Sequence, residues 1–279
     1  MIQISSETEL ELRIAGADVK VRGPQAVLGV VDRMLAQVER TWLAQDEPLI
    51  VDVSSKLGIW SVAGKAPASR KTLGGGSALP QVAGAVVSSI LAEISWHLDV
   101  VIWRAAVVER DGRALVFVGD DWESCITLTA HLHTRGWNIL GGDYALISGD
   151  TLVVSAFKKV LHANSSCVAS FPLWYRRAIE ASPWYSTTSA IAFYAIDPRL
   201  VQDASPWGDR ARLAAVLKVD GHFDEHPSLE AVEGMSFSGS LRAAELKRAG
   251  VEVANLVVGD FIETCDLLDR WFAAVATTT

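Results

Sequence analysis

Hydrophobic and polar residues alternate at the start of the chain, over residues 9–14 and again over residues 18–22. A period of two is typical of β-strands that bury one face. Ala15 and Gly16 separate the two runs and predict a tight turn. We therefore expect the chain to begin with a β-hairpin.

Over residues 23–98 the spacing of apolar residues changes from period two to helical spacing, returns to period two and becomes helical again. Apolar residues recur at helical spacing from Val27 to Val38, which predicts a helix that continues to about residue 44. Strands are expected over 49–53 and 59–62, and a long apolar helix over 79–98. The segment 63–77 is basic and rich in small residues and glycine, and we interpret it as a linker.

From residue 100 the pattern predicts strands interleaved with helices. One strand is expected over 101–109, then a turn over 110–113, a strand over 114–118 and a helix over 122–134 that ends at Gly136. Further strands are expected over 138–147, 151–154, 158–161, 189–195, 211–219 and 254–258, and helices over 173–181, 238–249 and 263–276. This mixture predicts an α/β protein with an N-terminal lobe with its connecting helix at 1–98 and a core at 99–279.

Composition excludes several classes of protein. Half of the residues are hydrophobic, yet the longest apolar stretch, residues 81–94, is shorter than the roughly 20 residues that cross a bilayer. The first 13 residues show no secretion signal, so we expect neither secretion nor association with a membrane. The net charge of −8 argues against nucleic acid as a binding partner, since phosphate backbones are held mainly by lysine and arginine. The three cysteines are far apart, which favours a reduced, cytoplasmic compartment.

The sequence around Gly119 has the setting of a phosphate-binding loop, in which a strand, a loop and a helix follow one another. The segments 104–119 (RAAVVERDGRALVFVG) and 128–147 (LTAHLHTRGWNILGGDYALI) resemble the core of HPr kinase/phosphorylase-related proteins. The resemblance covers about the last two-thirds of the chain. It implies the mixed-sheet core of the phosphoenolpyruvate carboxykinase-like fold, preceded here by a small α/β lobe.

The loop itself departs from the pattern of that family. Cys125 stands where the family has its phosphate-binding lysine, and Ile126 where it has the hydroxyl that ligates magnesium. Trp122 and Ser124 replace glycines. The added carboxylates of Asp120, Asp121 and Glu123 oppose a triphosphate by Coulomb repulsion. We therefore expect a degenerate P-loop and no nucleotide or other cofactor.

The acidic loop has two interpretations that the sequence leaves open. Asp120 and Glu123 have the spacing of a capping box, in which the helix would satisfy its own N–H groups. Alternatively, the loop receives a cationic group of a ligand or peptide. On this second interpretation the candidate partner-binding residues are Asp120, Asp121, Trp122, Glu123, Cys125 and Arg104.

One carboxylate is the candidate for catalysis. Arg104 stands where the family has a histidine, and Gly142 and Asp143 replace its pair of aspartates, so only Asp143 remains as a general base. We expect no metal site. His131 and His133 diverge on a helix. The segment from His222 to His226 has the composition of a metal site, but Gly221 and Pro227 predict a loop rather than one helical face.

Three functions remain. The first is a degenerate HPr-kinase-like protein, or pseudokinase, which acts as a binding or scaffold component. Relatives of this bacterial kinase group often accompany modifying enzymes in peptide natural-product pathways, so a peptide or protein partner is implied, and a homo-oligomer is left open. The second is a repurposed enzyme that uses Asp143 with Asp120, Asp121 or His162 as acid and base. The third, an active ATP-dependent serine kinase, is least compatible with the loop.

Overall fold

The computed structural model describes residues 7–35, 38, 47–74, 76–181, 184–188, 191–201, 206–221, 226–232 and 243–276. Within these residues the strands form a five-stranded, a nine-stranded and a three-stranded sheet. The five-stranded and nine-stranded sheets combine parallel and antiparallel pairs, the three-stranded sheet is antiparallel, and helices pack against the sheets. The expected mixed α/β class is therefore confirmed.

The five-stranded sheet comes from the first part of the chain. Its strands, in spatial order, are β1 (Glu7–Ile14), β2 (Ala17–Pro24), β3 (Leu49–Lys56), β4 (Ile59–Ala63) and β5 (Lys71–Leu73). The expected hairpin is present, and Ala15 and Gly16 have φ values of 51° and 84°, which a tight turn requires. The linker predicted at 63–77 is wrong in part, because β5 lies inside it and pairs with β4.

Two helices cover one face of this sheet. They are α1 (Gln25–Met34) and α2 (Leu79–His97), whose apolar residues form one cluster with the strands. Leu146 and Phe157 from later in the chain belong to the same cluster, so the sheet is packed onto the rest of the molecule. The helix expected to reach residue 44 ends at Met34, and residues 36–37 and 39–46 lie outside the described residues.

Among the described residues, one helix, α2, passes the length and composition test for a membrane span. Half of its apolar window is buried inside the protein. Since the core helix of a globular protein passes the same test, this is weak evidence for a span.

The second half of the chain builds the two remaining sheets. The large sheet contains β6 (Val100–Arg104), β7 (Ala106–Arg110), β8 (Arg113–Val118), β9 (Asn138–Gly141), β10 (Tyr144–Ser148) and β11 (Val153–Ser155). The three-stranded sheet consists of β12 (Leu161–Asn164), β13 (Trp184–Thr188) and β14 (Ile191–Ile196). The large sheet is completed by β15 (Arg210–Gly221), β16 (Ser228–Ala231) and β17 (Glu252–Val258).

The order of the large sheet is β6-β10-β11-β15-β8-β7-β9, with β17 paired to β15 and to β16. Strand β15 runs parallel to both β8 and β17. The accompanying helices are α3 (Trp122–Thr134), α4 (Leu173–Ala181), α5 (Ala243–Arg248) and α6 (Phe261–Ala276). Helices α3 and α6 share the main apolar cluster with β8 and β15, which fixes the N-terminal end of α3 beside the ends of those strands.

Two strands that were expected to be continuous are interrupted. The strand predicted over 101–109 is divided at Ala105 into β6 and β7, and the strand predicted over 138–147 is divided at Gly142 and Asp143 into β9 and β10. The Ala105 N–H donates to the carbonyl of Asp143 at 3.1 Å, so the two interruptions face each other. A Cβ on Gly142 would collide with Leu161.

Other boundaries also differ from the predictions. The strand expected over 158–161 is wrong, because residues 158–160 are not in a strand and β12 starts at Leu161. The helix expected over 238–249 is described only as α5, since residues 238–242 lie outside the described residues.

Candidate functional site

A cavity of about 680 Å³ opens between α2, the N-terminal end of α3 and the interruption between β9 and β10. Its wall combines apolar side chains with charged and polar groups. The lining residues are Met34, Pro80, Gln81, Gly84, Val87, Arg104, Asp120, Asp121, Trp122, Glu123, Ile126, Asp143, Tyr144, Lys159, His162, Asn164 and Cys167. Most residues that the sequence singled out therefore meet in one cavity.

The loop before α3 is held by a glycine and an aspartate. Gly119 has a φ of 153°, and a Cβ there would lie 2.6 Å from the carbonyl oxygen of Val219. Asp121 caps α3, since its carboxylate accepts from the Ser124 N–H at 3.1 Å and from the Ser124 hydroxyl at 2.5 Å. The cap expected at Asp120 is therefore wrong by one residue, because Asp121 is the residue that flanks the first helical turn.

Glu123 forms no part of a capping box. Its carboxylate accepts from the side-chain amide of Asn164 at 2.7 Å and from the hydroxyl of Ser166 at 3.1 Å. These bonds join the first turn of α3 to β12 and to the 3-10 turn that follows it. The expected role of Glu123 in capping is wrong, because the side chain turns toward β12 and not back to the loop.

The opening of the cavity also carries a cation and an indole. The guanidinium carbon of Arg104 lies 5.3 Å from the ring centre of Trp122, a cation–π distance. Arg104 and Asp120 are exposed, whereas Trp122 is half-buried. This arrangement leaves one carboxylate and one guanidinium at the mouth, both accessible to a ligand.

Cys125 does not line the cavity in the part of the chain that the structure describes. Its side chain is buried in the main apolar cluster. Burial, together with the charge of Asp121, raises the pKa of the thiol to about 12. A direct contact between Cys125 and a ligand is thus not supported by where the residue lies, and Ile126 occupies the wall instead.

The floor of the cavity holds three titratable side chains in contact. The ammonium of Lys159 donates to the Asp143 carboxylate and lies 2.6 Å from Nδ1 of His162. Nδ1 of His162 is 3.2 Å from the same Asp143 oxygen. When Lys159 is an ammonium, which has only donors, Nδ1 accepts from it and the imidazole proton lies on Nε2. When Lys159 is an uncharged amine, Nδ1 can carry the proton and donate to Asp143.

Burial changes the protonation of this cluster. Lys159 is 5% exposed, and burial lowers the pKa of its amine to about 7. Burial and the neighbouring lysine hold the pKa of His162 well below its usual value, so the imidazole is neutral. Asp143 opposes the shift at Lys159, since a carboxylate in contact favours the charged amine. The cluster can therefore exchange one proton near neutral pH.

Sequence reasoning named Asp143 and, as an alternative, His162, but it missed Lys159. Lys159 lies 16 positions from Asp143 in the chain, and no motif joins the two. The predicted strand over 158–161 would have placed neighbouring side chains on opposite faces of a sheet. Only the interruption between β9 and β10 brings Asp143 toward Lys159.

The histidines considered as metal ligands lie elsewhere. Nε2 of His131 is 2.9 Å from the carbonyl of Ser170, and Nδ1 of His133 is 2.7 Å from the hydroxyl of Tyr175. Within the described ranges, no group of three or more histidine, cysteine, aspartate or glutamate side chains is placed to hold a metal ion. Residues 222–225, where one such group was considered, are outside those ranges.

No protein-family model and no curated protein matches the chain. Among solved structures, it is similar to the HPr(Ser) kinase/phosphatase from Coxiella burnetii, with 14% identity over 62% of this chain and 99% of that chain, at a TM-score of 0.32. The similarity is distant.

Proposed function

We propose that this chain is a binding protein whose cavity receives a cationic group, and that it does not bind or transfer the triphosphate of a nucleotide. One observation carries the proposal. The N–H of Ser124, at the end of α3 where a phosphate would be bound, already donates to the carboxylate of Asp121. A phosphate there would have to displace a carboxylate of the protein itself.

The charges around the cavity support the same conclusion. Four carboxylates line it, those of Asp120, Asp121, Glu123 and Asp143, against the cations of Arg104 and Lys159. Like charges repel by about 1 kcal/mol at 4 Å in water and by more at lower dielectric constant. A ligand with an ammonium or guanidinium group is favoured at this opening, and a polyphosphate is disfavoured.

The size of the cavity limits what enters it. A volume of about 680 Å³ is within the range of small-molecule pockets and accommodates a side chain or a short peptide segment rather than a folded domain. We therefore infer a basic peptide segment as the ligand. On this proposal the chain is a cytoplasmic, HPr-kinase-like pseudokinase that acts as a binding or scaffold component for a peptide or a modifying enzyme in a bacterial natural-product pathway.

The proposal is tested with two fluorescent peptides of equal length, one rich in lysine and one rich in glutamate, measured by anisotropy. We expect the lysine-rich peptide to bind more tightly, and Asp120→Lys to weaken it at least tenfold. Asp150→Lys is the matched control, since Asp150 is exposed on a turn and does not line the cavity. Equal binding of both peptides, or equal effects of the two substitutions, would refute the proposal.

A second candidate function, an enzyme with acid–base chemistry, is favoured by the floor of the cavity. Asp143 is in contact with an amine whose pKa lies near 7 and with a neutral imidazole. Groups matched to neutral pH are suited to proton transfer. This candidate function is tested by the reactivity of Lys159 toward an electrophile. An unreactive amine would refute acid–base chemistry at the floor of the cavity.

A further inference from the structure

Lys158 and Lys159 are neighbours in the chain but lie in different surroundings. Lys159 lines the cavity and contacts Asp143 and His162. Lys158 faces a separate cavity and donates to Asp209, whose side chain is 88% exposed, at 2.7 Å. The pair offers a lysine that lines the cavity and, next to it in the chain, a control that does not.

We propose that Lys159 is a nucleophilic amine that captures, as an imine, a small aldehyde or ketone bearing a positive charge. Three features of the floor fit this role. The amine lies at the bottom of a cavity large enough for such a compound, and a neutral imidazole and a carboxylate lie within hydrogen-bonding reach of its nitrogen. The four carboxylates that line the cavity outnumber its two cations and favour a positive charge on the ligand.

The protonation of the amine supports the inference. Burial lowers its pKa to about 7, so the uncharged, nucleophilic form of Lys159 is more accessible at neutral pH than that of a solvated lysine. The groups that face the cavity from all sides act in both directions. Arg104 and burial disfavour the charged amine. The carboxylates that line the cavity favour it, those of Asp143, Glu123, Asp120 and Asp121. The Tyr144 hydroxyl and the His162 imidazole are neutral and add no charge of either sign.

The covalent step balances without any further reagent. The lone pair of Nζ attacks the carbonyl carbon, the C–N bond forms and the C=O π electrons move to oxygen. One N–H proton passes through the Asp143 carboxylate to that oxygen and gives a carbinolamine. The second N–H proton follows the same route as the C=N bond forms, and the hydroxyl leaves as water. The sum is amine and carbonyl to imine and water.

The experiment reduces the imine in place. The full chain is incubated with betaine aldehyde and sodium cyanoborohydride at pH 7, and the modified lysine is located by peptide mass spectrometry. We expect Lys159 to be labelled at least tenfold faster than Lys158. Lys158→Arg is expected to leave the labelling unchanged, and Lys159→Arg to abolish it. Labelling spread over exposed lysines at equal rates would overturn the inference.

A second measurement needs no variant and so does not depend on the folding of one. The rate of labelling at Lys159 in the native chain is expected to reach half of its maximum near pH 7, while rates at exposed lysines continue to rise toward about pH 10.4, the ordinary pKa of lysine. A rate at Lys159 that follows the exposed lysines would contradict the inference.

The preference for a cation rests on the proposed function, whereas the covalent step rests on Lys159 alone. The anionic aldehyde glyoxylate separates the two. Selective labelling of Lys159 by betaine aldehyde, with little by glyoxylate, supports both. Selective labelling by both aldehydes equally supports the amine and refutes the cationic preference. No selective labelling by either aldehyde refutes the reactive amine, and the result with the lysine-rich peptide then stands on its own.

Discussion

The mouth and the floor of the cavity carry the same kinds of charged group in different surroundings. At the mouth, Arg104 and Asp120 are exposed. At the floor, Lys159 is 5% exposed and its partner Asp143 is 14% exposed in its side chain. Exposed ion pairs contribute about 0 to 1 kcal/mol because water and salt screen them, whereas breaking a buried pair costs several times more. On the proposed function, charges at the mouth select a ligand, and on the proposed role of Lys159 those at the floor react with it.

The largest effect is expected at the floor. Lys159→Met removes the cation beside Asp143 and leaves a mostly buried carboxylate without its donor. We expect the free energy of unfolding at pH 6 to fall by about 3 kcal/mol, in urea denaturation. Lys158→Met is the matched control and is expected to cost less than about 1 kcal/mol, because its partner Asp209 is exposed.

The double variant Asp143→Asn/Lys159→Met shows whether the loss comes from the ion pair. Since it removes both charges, we expect it to recover more than half of the stability that the single change removes. If the single variant at Lys159 loses no more stability than the one at Lys158, the ion pair at the floor contributes no more than an exposed ion pair, and the comparison fails.

The second effect is a dependence of stability on pH. The folded protein lowers the pKa of Lys159 to about 7, so above that pH the unfolded chain binds more protons than the folded one. Stability contributed by this group therefore rises with pH, by up to about 1.4 kcal/mol per unit, and is lost as the pH falls toward 7. We expect a rise from pH 7 to 8.5 in urea denaturation of the native chain, relative to Lys159→Met.

The predicted rise in stability is measured only up to pH 8.5, because the buried thiols lower the stability of the folded protein at higher pH. Burial raises the pKa of Cys125, Cys167 and Cys265, so each favours unfolding once free thiols ionise. If the two proteins have parallel profiles between pH 7 and 8.5, the amine of Lys159 is an ordinary lysine.

A third, smaller effect is expected at the start of α3. Asp121→Ala removes the carboxylate that accepts from Ser124 and should lower the free energy of unfolding by about 1 kcal/mol. Asp121→Ser keeps a cap oxygen without the charge and should lose less than half of that. Equal losses in thermal unfolding would show that charge, and not capping, is what Asp121 contributes.

The smallest effect is expected at the exposed mouth. Within the described residues, the side chain of Asp120 accepts no hydrogen bond. Its backbone carbonyl accepts one from the Trp122 N–H at 3.0 Å. Asp120→Asn should change the free energy of unfolding by less than about 0.5 kcal/mol in urea denaturation. A larger loss would place Asp120 in the structure of the loop rather than at a binding surface.

The spacing of apolar residues and the turn residues predicted the elements whose structure depends on neighbouring positions in the chain. The hairpin of β1 and β2, the long helix α2 and the strand and helix on either side of Gly119 lie close to where periodicity and turn residues put them. Their boundaries depend on residues within a few positions. The prediction of a short helix over 173–181 was confirmed as α4 for the same reason.

The floor could not be predicted in this way. The sequence around Ala105 and around Gly142 is apolar enough to continue a strand, and it is pairing with distant segments that ends β6 and β9. Asp143 was recognised as a candidate only through a resemblance. Lys159 meets it through the arrangement of the sheet, which no spacing in the chain encodes.

The most direct measurement is calorimetric titration of the native chain with ATP and Mg²⁺ at neutral pH, beside Asp121→Ser and Asp143→Ala. Since the N–H of Ser124 is already bonded to Asp121 and four carboxylates line the cavity, we expect no heat of binding in the native chain. Micromolar binding of ATP by the native chain that Asp143→Ala abolishes would contradict a cavity built without a nucleotide site.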